Sequence, residues 1–245
     1  MDNYILGIWD NHDAGVALVR RDTISFAVNE ERLTRRKLEV CFPALSIRAA
    51  LTREGLGPGD IAAVAVSTSD VAKTAHRLWP GLKEEYYLLR RRKKWPAWLD
   101  RYKKLSKYWM TEMGGNSITR WLSRLAIRRS LKPFGLDRHE IGFVDHHLCH
   151  AAAAALTSGF DSALVITLDG LGDGLSGSIS VFQDGKLARL NSLSSRHSLG
   201  IFFEHVTNLM NMRELEDEGK VMALANYAYP IPDNENPLLS LQSEP

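Results

Sequence analysis

The sequence predicts an α/β protein of two related lobes, each a mixed β-sheet with helices packed on it, the second lobe cut short. Three observations predict this. Short apolar, β-branched runs alternate with segments of helical period. The order strand-strand-strand-helix-strand, then strand-helix, is followed by strand-strand-strand-helix again, without residue-level identity between the copies. After the second copy, Ile231-Pro232-Asp233-Asn234-Glu235-Asn236-Pro237 is loop-like and no strand pattern follows it.

The elements read in order as follows. Tyr4 to Trp9, Gly15 to Val19 and Ile24 to Val28 are short strands. The first turn, Asp10-Asn11-His12-Asp13-Ala14-Gly15, is dense in titratable groups, and Arg20-Arg21-Asp22 forms a hairpin-like second turn. Pro43 to Glu54 is an amphipathic helix with Ala44, Ile47, Ala50 and Leu51 on one face, opened by proline and stopped by Gly55. Ile61 to Ser67 is an apolar run suited to a buried strand. Glu140 to Asp145 is a further strand, and His146 to Leu156 has helical composition with a run of alanines. Ala163 to Leu168 reads as a buried strand ending at Asp169-Gly170. Ser176 to Phe182 and Leu187 to Ser194 are strands around the turn Gln183-Asp184-Gly185-Lys186, and a helix spans Gly200 to Met210. This pattern is that of an actin/hexokinase/Hsp70-like, ribonuclease H-like fold, with a first lobe at 1–160 and a partial second lobe at 161–245.

Between about 77 and 132 the first lobe carries a basic insertion. Arg90-Arg91-Arg92-Lys93-Lys94 is followed by Trp95, Trp98, Tyr102, Lys103, Lys104, Lys107, Tyr108 and Trp109. A helical insertion with a solvated basic face is the plain reading. An anionic substrate or acidic partner is the alternative. Nucleic acid ranks last, because no zinc, KH or RRM pattern accompanies the charge.

Composition bounds the rest. The 245 residues are 44% hydrophobic and 24% charged with a net charge of +2, which excludes a disordered chain and a polycation. Two cysteines, Cys41 and Cys149, make no disulfide framework. There is no signal-peptide pattern and no apolar run of membrane-spanning length, so the expectation is a cytoplasmic protein that does not enter a membrane.

Asp145-His146-His147-Leu148-Cys149-His150-Ala151-Ala152 is the sharpest chemical signal. His146 and His150 are four apart, which on a helix puts both imidazoles on one face, able to grip one cation. The strand that follows ends at Asp169, whose carboxylate can supply a third ligand. Two histidines and a carboxylate suit iron, zinc or manganese and do not choose among them. His147 and Cys149 point elsewhere on such a helix. The alternative is a pair of histidines that merely cap and pack.

Asp169-Gly170-Leu171-Gly172-Asp173-Gly174 is a glycine-rich turn in which backbone amides of Gly170, Gly172 and Gly174, with Asp173 beside them, can approach a phosphate. It lacks the Gly-Lys-Ser/Thr end of a Walker motif. The alternative is a plain glycine-rich hairpin. Gly219-Lys220, at the head of a small-residue helix, is a second candidate contact for a nucleotide, with tight helix packing as the competing explanation.

These blocks, taken with Gly7-Ile8, His12-Asp13-Ala14-Gly15, Glu30-Glu31-Arg32-Leu33-Thr34-Arg35-Arg36-Lys37, Phe42-Pro43, Ser198-Leu199-Gly200 and Gly219-Lys220-Val221-Met222, resemble the O-carbamoyltransferases of antibiotic and nodulation-factor biosynthesis, in the same order along the chain. The resemblance implies an actin/hexokinase-like part followed by an adenylate-forming domain that this sequence does not contain. That domain makes carbamoyl-adenylate from carbamoyl phosphate and ATP. The first part moves the carbamoyl group to the hydroxyl of a small molecule with a divalent metal ion, iron foremost. By the same resemblance His146, His150 and Asp169 are metal ligands, His12 is a catalytic base, and Lys37, with Arg32, stabilises negative charge. Glu30 and Glu31 read as residues that hold the sheet end. A homodimer is compatible with the pattern. Two positions depart from the family: Leu38 stands where a histidine is usual, and Ala223 where a glycine is. Two other readings stay open, a lobe that binds a nucleotide or partner without catalysis, and a threonylcarbamoyl-transfer or kinase relative of the same fold.

Overall fold

The computed structural model describes residues 3–83, 102, 109, 112–213, 216–227 and 229–236. The basic and aromatic run Arg90 to Tyr108 lies outside the described residues, apart from Tyr102. The chain divides into two compact units, Met1–Ile201, which holds both sheets, and Phe202–Pro245. The expected lobe border at 160/161 falls within the first of these.

Strands β1 (Tyr4–Trp9), β2 (Gly15–Arg20) and β3 (Thr23–Asn29) form an antiparallel meander. After a one-turn helix α1 (Glu31–Thr34) and helix α2 (Ala44–Glu54), β4 (Ile61–Ser67) joins β1 in parallel. Helices α3 (Val71–Leu78) and α4 (Ser117–Leu131) precede β5 (Glu140–Val144), which pairs with β4 in parallel. The sheet order β3-β2-β1-β4-β5 is the mixed five-strand arrangement that the actin/hexokinase-like expectation calls for. Its core is a single apolar layer. Leu6, Ile8, Val16, Leu18, Val64 and Val66 on one sheet face meet Ile47 and Ala50 of α2 and Ile127 and Leu131 of α4. The strand period of two and the helix period of 3.6 deliver these positions to one side.

Helix α5 (His146–Thr157) leads into a second sheet of β6 (Ser162–Gly172), β7 (Leu175–Gln183) and β8 (Lys186–Ser194), another antiparallel meander. Two-residue turns at Asp173-Gly174 and Asp184-Gly185 close it, each with both residues at positive φ, the geometry that favours Asp-Gly in hairpins. Ala163 and Val165 of β6 and Phe182 of β7 pack on Ala151 and Ala155 of α5.

Three local expectations are corrected here. The strand expected at Ala163–Leu168 is not buried on both faces: Leu164, Ile166 and Leu168 are about 60% exposed. An antiparallel hairpin sheet packs one face on its helix and alternates the other outward. Asp169 to Gly172, expected as a loop, continues β6 through a register irregularity before the turn. Arg77, placed at the start of the basic insertion, is instead a buried residue in the last turn of α3.

The second unit carries the greater part of α6 (Leu199–Leu209) and all of α7 (Glu218–Leu224). No helix among the described residues is long and apolar enough to cross a membrane.

Candidate metal centre

The C-terminal ends of β1, β4 and β5 meet the N-terminus of α5 and the end of β6. Asp145 caps α5 by accepting from Leu148 N at 2.8 Å, and Arg189 of β8 pairs with the same carboxylate. The helix therefore begins at His146. His146 and His150 lie one turn apart with ring centroids at 4.6 Å. Strand alternation puts Asp169 on the β6 face that carries Ala163, Val165 and Thr167, turned toward α5.

The three ligand-type atoms converge. His146 Nε2 is 2.7 Å and His150 Nε2 3.6 Å from Asp169 Oδ2, and the two Nε2 atoms are 3.1 Å apart. All three lie within 4.8 Å of one another. Ligands at about 2.0–2.2 Å from a tetrahedral ion sit roughly 3.3 Å apart, and the three separations bracket that value. Hydrogen bonds from His146 and then His150 outweigh the cost of burial and hold the Asp169 carboxyl well below the usual carboxylate range. The same bond to Asp169 holds the His150 imidazole above its ordinary value, against burial.

Close packing fixes His146. Its backbone N–H donates to Asp173 Oδ2 at 2.8 Å, and Thr68 Oγ1 donates to the other oxygen of that carboxylate. Asp173 thus ties the hairpin tip to the start of α5 and to the end of β4. Thr68 holds a φ of 54°, an outlier for a β-branched residue. Val144 O, Asp173 and Arg77 over-determine it: Thr68 N donates to Val144 O, and Arg77 Nη1 to Thr68 O. A Cβ on Gly172 would stand 2.1 Å from His146 Cδ2, so this glycine makes room for the ring. Gly170 donates its N–H to its neighbour's Asp169 Oδ1 and lies under Gly200, where a Cβ would be 2.7 Å from Gly170 Cα. Ser198 Oγ donates to Gly170 O at 2.6 Å and holds this crossing.

His12 lies on the Trp9 ring, which also packs on His146, with centroid distances of 5.5 and 5.7 Å. Trp9 Nε1 donates to the His12 carbonyl. Asp13 Oδ2 is 3.1 Å from His12 Nδ1. A carboxylate only accepts, so Nδ1 donates this bond, and in the neutral ring Nε2 is then the basic nitrogen. Lys73 Nζ stands 4.4 Å from the centroid of the same indole. Beside His12 a hollow of about 630 Å³ opens on the small-residue face of the first sheet, lined by Gly7, Trp9, Asp13, Gly15, Asn29 and Arg32 among others.

Lys37 is exposed in the turn after α1. Its neighbour Leu38 has a φ of 57° and donates its N–H to Glu31 Oε2. Glu30 is buried and accepts from Leu45 N, Ser46 N and Ser46 Oγ, so it caps α2 from the end of β3. Gly219 and Lys220 are exposed in the first turn of α7 in the second unit, with Lys220 Nζ 2.6 Å from Asp217.

One feature escaped the sequence reading. Asp10, at the end of β1, is 2% exposed and receives both arms of Arg77, at 2.9 and 2.8 Å. Lys83 Nζ donates to Asp10 O at 2.6 Å. Burial pushes the Asp10 carboxyl up, but Arg77 and then Lys83 outweigh it and hold the group far below the ordinary range. The only available signal was an aspartate directly after an apolar strand, since its partners are 67 and 73 residues away.

Fold and site together define an actin/hexokinase-like α/β lobe that gathers two histidines and an aspartate beside an aromatic platform. The chain belongs to the carbamoyltransferase N-terminus family, whose model matches residues 4–241. Among its relatives, an uncharacterized protein of Methanocaldococcus jannaschii is 30% identical over 223 residues, covering 91% of this chain and 33% of that protein. Nodulation protein NolNO of Sinorhizobium fredii is 29% identical over 226 residues, covering 91% of this chain and 29% of that one. The chain spans about a third of the length of the curated relatives it matches. A solved structure, YeaZ from Pseudomonas aeruginosa, aligns with a TM-score of 0.37 at 11% identity over 78% of this chain and 68% of that one.

Proposed function

We propose that the protein is the transfer lobe of an O-carbamoyltransferase. It moves a carbamoyl group from carbamoyl-adenylate to the hydroxyl of a small molecule, the donor being made from carbamoyl phosphate and ATP by an adenylate-forming domain on another stretch of polypeptide. The observation that carries this reading is the convergence of His146, His150 and Asp169 in a chain of this family. Two nitrogens and one oxygen at these separations suit a divalent ion of the iron, zinc or manganese kind, iron foremost by family. When bound, that ion would supply Lewis-acid polarisation of the carbamoyl carbonyl.

The chain's own residues supply the rest. His12, oriented through Nδ1 by Asp13, takes the acceptor's hydroxyl proton at Nε2. The hydroxyl oxygen bonds to the carbamoyl carbon, and the bond to the adenylate oxygen breaks, so that AMP leaves with the electron pair. Trp9 fixes the spacing between His12 and His146. Lys37 and Arg32 act on negative charge of the donor in the same scheme.

The test supplies the chain with iron(II), a hydroxyl acceptor and carbamoyl-adenylate generated in situ from carbamoyl phosphate and ATP by a separately prepared adenylate-forming domain. Carbamoylated acceptor and AMP form together in equal amounts, and His12→Ala loses product without losing bound metal. Product formation that is unaffected by His12→Ala contradicts the assignment of the base.

A further inference from the structure

His147 is not a ligand, yet it stands between the two elements that carry the ligands. Its side chain is fully buried at the head of the His147, Ala151, Ala155 stripe that faces the second sheet. Nε2 is 3.0 Å from Leu175 O and Nδ1 is 3.1 Å from Thr167 Oγ1. A carbonyl oxygen can only accept, so Nε2 carries the proton and Nδ1 must accept from the Thr167 hydroxyl. Thr167 in turn accepts from Ser178 N at 2.9 Å and meets Ser178 Oγ at 2.8 Å. Each proton in this chain of bonds then has one place to go, from Ser178 to Thr167 to His147 to Leu175.

We infer that the Thr167–His147 hydrogen bond is the positioning strut of the ligand triad. His147 is next to His146 on α5, and Thr167 is two residues before Asp169 on the same face of β6. The bond therefore fixes the helix that bears two ligands against the strand that bears the third, at the head of the apolar contacts of Ala151 and Ala155 with Val165 and Phe182. Partners one step behind metal ligands commonly tune affinity by about 10–100-fold. This inference rests on the metal-centre reading of His146, His150 and Asp169.

The experiment titrates the 245-residue chain with Co²⁺ and records both the dissociation constant and the visible d–d spectrum, which reports ligand geometry. Four proteins are compared: wild type, Thr167→Val, Thr167→Ser and Val165→Ala. Valine keeps the shape of threonine and removes the hydroxyl. Serine keeps the hydroxyl. Val165→Ala loosens the same strand without touching the strut. Thr167→Val is expected to weaken Co²⁺ by about 10–100-fold and shift the spectrum. Thr167→Ser restores both, and Val165→Ala lowers the melting temperature with the wild-type spectrum retained. Equal weakening in Thr167→Val and Val165→Ala, or an unchanged constant and spectrum in Thr167→Val, overturns the strut. Failure of the wild type itself to bind Co²⁺ overturns instead the reading of the triad on which the strut depends.

Discussion

Gly172→Ala places one methyl group against the ring of His146. The added Cβ would lie 2.1 Å from Cδ2, 2.4 Å from Cγ and 2.7 Å from Nε2. To regain ordinary contact at 3.4 Å the ring must retreat by about 1.3 Å. Metal–ligand distances tolerate only about 0.2 Å, so a retreat of that size takes Nε2 out of the coordination sphere. The ring has little room to move: Trp9, His147 and His150 surround it, and Asp173 holds the backbone behind it. Gly172 itself is not at positive φ, so alanine is compatible with its backbone and the damage is steric. Overpacking of this kind costs about 1–3 kcal/mol, which for a chain of this size lowers the melting temperature by a few degrees, roughly 2–4 °C per kcal/mol. The variant should therefore fold and fail to bind metal. Isothermal titration with Co²⁺ and a thermal melt on the same sample check this. Wild-type stoichiometry and affinity in Gly172→Ala would refute the packing argument.

Three further outcomes are expected. Asp10→Asn leaves Arg77 charged and buried without its carboxylate and should cost about 3–5 kcal/mol, read as a lowered urea midpoint; a loss under about 1 kcal/mol would deny that the pair is buried. The native Asp10 carboxyl is depressed, so its contribution is present above the ordinary aspartate range and is lost only as pH falls through its lower native value. Glu30→Ala removes the acceptor for three donors at the start of α2 and should destabilise the first sheet by at least the ~1 kcal/mol of a lost helix cap, while Glu30→Asp rescues little because the shorter arm falls short of Ser46. In the metal-free chain Asp169 raises the proton affinity of His150, so protonated His150 stabilises the fold below the ordinary histidine value and this contribution fades as pH rises through the raised one. The ion must displace that proton, so Co²⁺ affinity should begin to fall above about pH 6.5 on acidification; a constant affinity from about pH 8 to about pH 6 would contradict the coupling of His150 to Asp169.

Much of this fold was legible because its signals are local. Ile61–Ser67 announces itself by a continuous apolar run, and Asp184-Gly185 by the turn it must form. The His146–His150 spacing is likewise a property of one helix, and Asp169 follows from one strand's end. What stayed hidden is set by partners distant in sequence. Nothing near Arg77 separates a buried ion-pair partner from a solvated basic residue, because its carboxylate, Asp10, directly follows β1 and is 67 residues away. The glycines of the Asp169–Gly174 segment mark close approach. The approach that the structure describes at Gly172 is to an imidazole, and at Gly200 to the backbone of Gly170. Sequence tells that something comes close but not what. The exposed apolar face of β6 is not legible for a related reason: a run such as Leu164-Val165-Ile166 reads the same whether one face is covered or two.

The central claim is that His146, His150 and Asp169 together hold a divalent ion. The most direct measurement is metal content after anaerobic loading with iron(II) and desalting, on the wild type and on His146→Ala, His150→Ala and Asp169→Ala. The account predicts close to one ion per wild-type chain and a loss of most of it in each variant, with the fold intact by circular dichroism. Retention of a full equivalent in any of the three, or a wild type that keeps no ion, would contradict it.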